Sequence, residues 1–157
     1  MKGRIPLLLT MILAAVPAAA QAPADTVAVQ VAALRMIWTS EDLTEGATVR
    51  CLGEWTPETG FAPVDPKPAL MAALAGNDPP VVPRSACDLP VEFWVDQPHV
   101  MEKTSARVTV SARCGRACSW SAECYVARVA ANDWRPARCE MRGSTIKYPD
   151  AADSPSD

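Results

Sequence analysis

The chain has 157 residues, 49% of them hydrophobic, and a formal net charge of −3. This length suits one domain with its own core, and the mildly acidic charge argues against nucleic acid as a partner. We therefore predict a single domain that does not bind nucleic acid.

The N-terminus has the form of a secretory signal peptide. Lys2 and Arg4 precede an apolar run from Ile5 to Val16, and Pro17 leads into small residues. We expect a signal peptide over residues 1–20, with cleavage after residue 22 as the alternative, and export to the periplasm or the medium. The apolar run has about 12 residues, whereas a membrane helix needs about 20, so no membrane anchor is expected in the mature chain.

The first element of the mature chain is predicted to be a helix. The stretch DTVAVQVAALRMIW has apolar residues at helical spacing behind an N-cap at Asp25 or Thr26, although its first valines also alternate as in a strand. The next stretch, ATVRCLGEW, predicts a short strand that ends at Gly53. A proline-rich loop, TPETGFAPVDPKP, follows it.

A second helix is predicted in KPALMAALAG. Asp65 and Pro66 supply an N-cap and a first-turn proline, and Leu70 and Leu74 share one face. Gly76 stands where a helix commonly ends with a left-handed residue.

Three extended segments come next. VVPRSAC and VEFWV are short, and their prolines predict edge positions in a sheet. ARVTVSAR is the clearest strand, because its small and apolar residues alternate with polar ones. The residues predicted to be buried are Ala106, Val108, Val110 and Ala112.

The stretch CYVARVAANDWRPARCEMRG predicts a hairpin, with Asn132 and Asp133 as residues typical of its turn. A turn centred between Ala131 and Asn132 places Cys124 opposite Cys139, although Pro136 or a different loop length would shift the register by one. The same register predicts one shared face for Cys124, Val126, Ala137, Cys139 and Met141.

Together these elements predict an α+β fold over residues 23–148, followed by a disordered acidic tail over residues 149–157. The expected architecture is an antiparallel sheet of about four to five strands with two helices on one face, stapled by disulfides. We expect a monomer.

Six cysteines allow fifteen pairings. Proximity favours Cys51–Cys87, Cys114–Cys118 and Cys124–Cys139. The spacing of the middle pair is C-x-x-x-C after a strand, whereas redox catalysis is typified by C-x-x-C at a helix N-terminus. A disulfide-pinned turn is therefore favoured over a thiol-redox site, and oxidation after export argues against zinc bound by the last four cysteines. No metal or other cofactor is expected.

Several motifs together resemble a group of small, uncharacterised exported bacterial proteins. The shared elements are a C-L strand in VRCLGEW, a D-P and paired-leucine helix in DPKPALMAALAG, a P-x-S-x-C element in VVPRSAC and a C-G-x-x-C turn in CGRAC. The resemblance spans about Val49 to Arg142 and implies a fold and a cysteine framework, but no activity. Because that group is not expected to have counterparts of Cys124 and Cys139, it also implies that these two pair with each other.

Candidates for catalysis are few. The only histidine is His99, which a triad would combine with Asp96 and with Ser85, Ser105 or Ser111, but no nucleophile motif surrounds these serines. A pair of carboxylates for glycosidase-like chemistry would come from Glu54, Glu58, Asp65, Asp88, Glu92 and Asp96. A hydrolytic enzyme that uses His99, or a thiol-redox enzyme that uses Cys114 and Cys118, is thus the alternative function.

The charge is unevenly distributed, with −8 over residues 23–102 and +6 over residues 103–148. These charges either neutralise each other across one fold or form a basic face for a partner. We predict a non-enzymatic binding or inhibitory module that recognises a protein or an anionic envelope polymer. Its expected binding residues are Arg116, Trp120, Tyr125 and Arg138, because tryptophan, tyrosine and arginine dominate binding hot spots.

Overall fold

A computed structural model of the protein describes residues 23–39, 48–59, 62–88, 91–114 and 118–146. These ranges contain helices α1 (Pro23–Trp38) and α2 (Pro68–Ala73), and the single turns Pro57–Thr59 and Arg84–Ala86. The strands are β1 (Arg50–Trp55), β2 (Val81–Pro83), β3 (Val91–Asp96), β4 (Val100–Met101), β5 (Ser105–Cys114), β6 (Cys118–Ala130) and β7 (Asp133–Ile146). The predicted signal peptide and acidic tail lie outside the described residues.

The fold is α+β, as predicted, but the sheet is mixed rather than antiparallel. Six strands follow the order β2-β1-β3-β5-β6-β7, and the two-residue β4 pairs with β5. β1 runs parallel to both β2 and β3. The prediction of four to five antiparallel strands was wrong. The segment that contains α2 connects β1 to its partner strands, and it is long enough for the chain to return in the same direction as β1.

The predicted edge positions hold for one of the two short strands. β2 forms an edge of the sheet, but β3 lies between β1 and β5. The prolines near β3 were misleading because the strand itself, VEFWVD, contains none and can donate along its whole length.

The helices and one face of the sheet enclose a single core. The alternation predicted for β5 is confirmed, since its four small and apolar residues are all buried. The core joins Leu34 of α1, Leu70 of α2 and Leu74, which directly follows α2, to the sheet residues Leu52, Val95, Val108, Val110, Ala122 and Val126. The intervening residues of the strands, such as Ser111 and Glu123, lie on the opposite side, which we call the outer face. Among the described residues, no helix is long and apolar enough to cross a membrane.

The predicted first helix is confirmed, but Asp25 does not cap it. The helix begins at Pro23, so Asp25 lies within its first turn. The Asp25 carboxylate contacts Arg128 and accepts a hydrogen bond of 3.1 Å from Trp134 Nε1. This carboxylate therefore ties the start of α1 to the hairpin rather than to its own backbone.

The second helix is shorter than predicted and has a different start. Lys67, not Asp65, occupies the N-cap position and makes no side-chain cap. The Asp65 carboxylate accepts hydrogen bonds from the backbone N–H and hydroxyl of Ser85, and the hydroxyl bond lowers the pKa of Asp65. Leu70 is buried as expected, and Gly76 has the expected left-handed φ of +81°.

β1 continues through Gly53, where the sequence predicted its end. A Cβ atom at this position would lie 3.0 Å from the Cβ of Pro63 and 3.2 Å from the carbonyl oxygen of Val64. The glycine therefore lets the proline-rich segment pack closely on the strand, and it does not terminate the strand.

Two of the three predicted disulfides are confirmed. Cys51 bonds to Cys87 and Cys124 bonds to Cys139, with Cα–Cα distances of 5.8 and 4.0 Å. The backbones of Cys114 and Cys118 lie opposite each other across β5 and β6. Their side chains fall outside the described part of the chain, so the third pairing stays a prediction.

The hairpin has the predicted register at its cysteines and a shift near Pro136. Cys124 faces Cys139, but a bulge places Val126 opposite Pro136 rather than Ala137. Because of this bulge, the predicted shared face is only partly formed, and Met141, which was predicted to lie on it, is 55% exposed.

Candidate binding surface

The outer face of β5, β6 and β7 carries a row of charged and aromatic side chains. Tyr125 in β6 pairs with Arg107 in β5 and Arg138 in β7. The next outward position of β6 is Glu123, which pairs with Glu140 in β7. Alternation along β6 and the central place of this strand therefore bring residues from three strands to one surface.

Glu123 is the centre of this surface. His99 Nε2 lies 2.8 Å from Glu123 Oε1, the Tyr125 hydroxyl donates to Glu123 Oε2 at 3.1 Å, and Arg142 contacts the same oxygen. Arg107 Nη1 lies 3.7 Å from Oε1. We call these five residues, His99, Arg107, Glu123, Tyr125 and Arg142, the Glu123 cluster.

The cluster holds Glu123 as a carboxylate. The hydrogen bond from Arg142, followed by that from His99, lowers the pKa of Glu123 to about 2, although its burial acts in the opposite direction. The same contact raises the pKa of Arg142. Hydrogen bonds that favour the charged form explain this shift.

We expect the protein to lose stability as the pH falls from about 4.5 to about 2. The unfolded chain takes up a proton at the ordinary pKa of Glu123, whereas the folded chain resists it, so the contribution is complete above pH 4.5 and lost below. About 1–2 kcal/mol should be lost, because solvent screens the half-exposed Arg142. Urea unfolding of wild type and Glu123→Gln at several pH values measures this loss.

Glu102→Gln is the control for that measurement. Glu102 is exposed and accepts a hydrogen bond only from the nearby Ser105 hydroxyl among the described residues. Its variant should keep the wild-type acid response, whereas Glu123→Gln should lose part of it. Equal responses in both variants would contradict the role given to the cluster.

Arg138 adds a third guanidinium, beside the cluster. Its Cζ lies 4.1 Å from the centroid of the Tyr125 ring, and its Nε lies 2.7 Å from Glu140 Oε1. Stacking and the ion pair hold this 60% exposed side chain over the ring. The predicted binding residues Tyr125 and Arg138 are thus in direct contact.

The other two predicted binding residues are not part of this contact. Arg116 lies outside the described residues. Trp120 is partly buried and packs edge-to-face on Phe93, with 6.2 Å between ring centroids. Trp120 packs against the core and also lines a hollow on the outer face.

A shallow hollow of about 370 Å³ lies on the same outer face. We call it the Trp94 hollow. Its lining includes Trp94, Trp120, Gly143 and the polar residues Ser111, Ser119 and Ser121. Ser121 is two positions before Glu123 on β6, so the hollow and the cluster are neighbours along one strand. Aromatic surface is therefore available next to the arginines.

The proposed catalytic triad is not assembled in the described residues. Ser85 donates to Asp65 and Ser105 donates to Glu102, while the His99 ring bonds to Glu123. Burial raises the pKa of the nearby Asp96 to about 6, partly offset by His99 and Thr109. The described contacts give His99 a carboxylate partner but no serine nucleophile.

The candidate carboxylates also have structural partners. Glu54 is buried and accepts hydrogen bonds from Gln30 and the Lys67 backbone. Glu92 lies between Arg84 and Arg113, at 3.0 and 2.9 Å. Within the described ranges, no group of three or more histidine, cysteine or acidic residues is placed to hold a metal ion.

Comparisons with protein families, curated proteins and solved structures found no match. The resemblance to small exported bacterial proteins accordingly stays a prediction. The geometry of the outer face provides the basis for a functional proposal.

Sequence reasoning missed the main feature of this surface, the convergence on Glu123. The signal was present in the outward alternation of Glu123 and Tyr125 and in the CGRAC turn. Pairing β5 with β6 across that turn places Arg107 opposite Tyr125, as observed. The approach of His99 and Arg142 depends on β4 and on a bulge in β7, and neither has a clear pattern in the sequence.

Proposed function

We propose that the protein is an exported, non-enzymatic binding or inhibitory domain that recognises an acidic patch on a partner protein. The recognition surface consists of the Glu123 cluster, Arg138 and the adjacent Trp94 hollow. The single observation that carries this proposal is the convergence of Arg107, Arg142 and His99 on one carboxylate beside the Arg138–Tyr125 stack.

This surface has more positive groups and donors than its own carboxylates require. Three guanidinium groups, those of Arg107, Arg138 and Arg142, face the two carboxylates of Glu123 and Glu140. Each guanidinium has several N–H donors in a planar fork. An acidic side chain of a partner would accept hydrogen bonds from the remaining N–H donors, and the internal ion pairs would stay intact.

The mixture of charges favours a protein over an anionic polymer. Glu123 and Glu140 lie within the arginine row, where they would repel an evenly charged polyanion. A protein surface can match both signs at defined spacing. The charge row and the neighbouring Trp94 also combine the residue types enriched at protein interfaces.

The arginines are held in place before any partner arrives. Arg138 is stacked on Tyr125, and Arg142 contacts both Glu123 and the Tyr125 hydroxyl. Ordered side chains lose less conformational entropy on binding than mobile ones. We therefore expect Arg138 and Arg142 to contribute most of the binding affinity of this surface.

Arg138→Ala and Arg142→Ala should each reduce capture of an exported partner by about tenfold or more. Tagged protein would be incubated with an extract of exported proteins at about 50 mM salt, and retained species would be quantified by mass spectrometry. Retention should fall as salt is raised to about 500 mM, because exposed charges are screened.

Arg135→Ala is the matched control. It removes the same charge from the same strand, but Arg135 is 69% exposed and pairs with Asp133 near the turn. Capture by this variant should stay within about twofold of wild type. Equal losses for Arg135→Ala and Arg138→Ala, or no loss for any variant, would exclude the proposed surface.

A further inference from the structure

A groove of about 810 Å³ lies between α1 and α2, on the opposite side of the protein from the outer face. Its walls include five apolar residues of the two helices, Val27, Val31, Ala69, Leu70 and Ala73. A concave, mostly apolar site with a few polar groups, in the range of about 300–1,000 Å³, is the usual form of a small-molecule site. The groove is separate from the surface proposed above.

The polar side chains at the floor of the groove, Glu54 and Gln30, already have hydrogen-bond partners within the protein. Glu54 is 2% exposed, and its carboxylate accepts hydrogen bonds from Gln30 Nε2 at 3.2 Å and from the Lys67 backbone N–H at 3.1 Å. Gln30 is 1% exposed and also donates to the Asp96 carbonyl oxygen at 3.1 Å. Because both side chains are buried and bonded, a cationic ligand head would not reach Glu54 without breaking this network.

The rim of the groove is basic. The Lys67 side chain is 58% exposed, with its Nζ 3.7 Å from Glu54 Oε1, and Arg35 is exposed on α1. Arg35 has no acidic partner among the described residues. The charged side chains that line the groove are these two cations and the buried Glu54 carboxylate, so the lining carries one net positive charge. The exposed Glu58 carboxylate interacts with Lys67 but lies outside the lining.

We infer that this groove binds a single-chain carboxylate, a molecule with an apolar tail and one anionic head. The tail lies along the valines and alanines of the two helices, and the head lies at the rim near Lys67 and Arg35. Burial of the tail supplies most of the affinity, because the apolar walls remove its methylene groups from water. The basic rim selects the sign of the head group.

Titration calorimetry with three probes tests the required chemistry. Dodecanoate should bind with a dissociation constant of about 10 μM. Dodecyltrimethylammonium, which has the same tail and the opposite charge, should bind at least about tenfold more weakly, and acetate, which lacks the tail, should show no binding. Equal or tighter binding of the cationic probe, or no binding of dodecanoate, would overturn the inference.

Two matched substitutions locate the site. Ala69→Phe fills the groove and should abolish dodecanoate binding, whereas Ala72→Phe, at an exposed position on the same helix outside the lining, should leave it unchanged. Unchanged binding by Ala69→Phe would overturn the assignment. Both variants should retain the wild-type circular dichroism spectrum, which shows that a loss of binding is not a loss of fold.

The charge selection is tested separately in Arg35→Gln/Lys67→Gln. This variant keeps the apolar walls and the Lys67 backbone bond to Glu54, so it should still bind both twelve-carbon probes. Its preference for dodecanoate over the ammonium probe should fall from about tenfold to about twofold. A preference that stays at the wild-type value would show that Arg35 and Lys67 do not select the charge of the head group.

Discussion

Cys51→Ala/Cys87→Ala is expected to lose about 4 kcal/mol of unfolding free energy. The bond links residues 36 apart in sequence and closes a long loop in the unfolded chain. Its removal therefore increases the conformational entropy of the unfolded chain and favours unfolding. It also ties β1 to the segment after β2, across the parallel part of the sheet. Equilibrium urea unfolding of the oxidised proteins measures the loss.

The second disulfide provides an internal comparison. Cys124 and Cys139 are 15 residues apart, so Cys124→Ala/Cys139→Ala should lose about 3 kcal/mol by the same reasoning. Their strands also remain paired along the rest of the hairpin. A loss below about 1 kcal/mol for the Cys51–Cys87 variant would show that this bond does not staple the fold.

Gln30→Leu should destabilise the protein by about 2–3 kcal/mol. The substitution keeps a side chain of similar size in α1 but removes the donor to Glu54 and to the Asp96 carbonyl oxygen. A buried carboxylate then loses one of its donors, which is costly because water does not replace it. Urea unfolding of the variant gives the value.

A double variant separates this effect from ordinary repacking. In Gln30→Leu/Glu54→Leu both polar partners are replaced, so no buried carboxylate is left with a missing donor. This protein should be more stable than Gln30→Leu alone. If the second substitution instead adds a further loss, the missing donor to Glu54 is not the main cost of Gln30→Leu, and the bond from the Lys67 backbone N–H to Glu54 matters more.

The local elements of this fold follow closely from the sequence. Helix α1 and strand β5 were both predicted, and the four buried residues of β5 were predicted with it. The facing cysteines of the hairpin follow from the turn at residues 131 and 132. In each case the information lies within one segment or two adjacent ones.

Long-range pairing was not predictable in the same way. Nothing in the pattern of β1 indicates that β2 and β3 lie on either side of it in parallel, because alternation specifies a face and not a neighbour. Asp25 and Asp65 have the form of helix caps but bind residues 103 and 20 positions away. A local cap and a distant partner compete for the same carboxylate, and tertiary structure decides between them.

The binding surface contains some residues that were predicted from local sequence and others that depend on long-range pairing. Tyr125 and Arg138 were predicted from residue type, and the hairpin register places them together. The central role of Glu123 was missed because its partners include His99, just before β4, Arg107 in β5 and Arg142 in β7. The charge asymmetry of the sequence indicated a basic segment, whereas the fold shows that its arginines are interleaved with glutamates on one face.

Photo-crosslinking in cells that export the protein tests the outer-face assignment most directly. A benzoylphenylalanine at Ser119, an exposed residue that lines the Trp94 hollow, would be compared with one at Ala72, exposed on the helical side. We expect a discrete crosslinked protein from position 119, weakened by Arg138→Ala, and none from position 72. A crosslink from position 72 alone, or one from position 119 that is insensitive to Arg138→Ala, would contradict the proposed function.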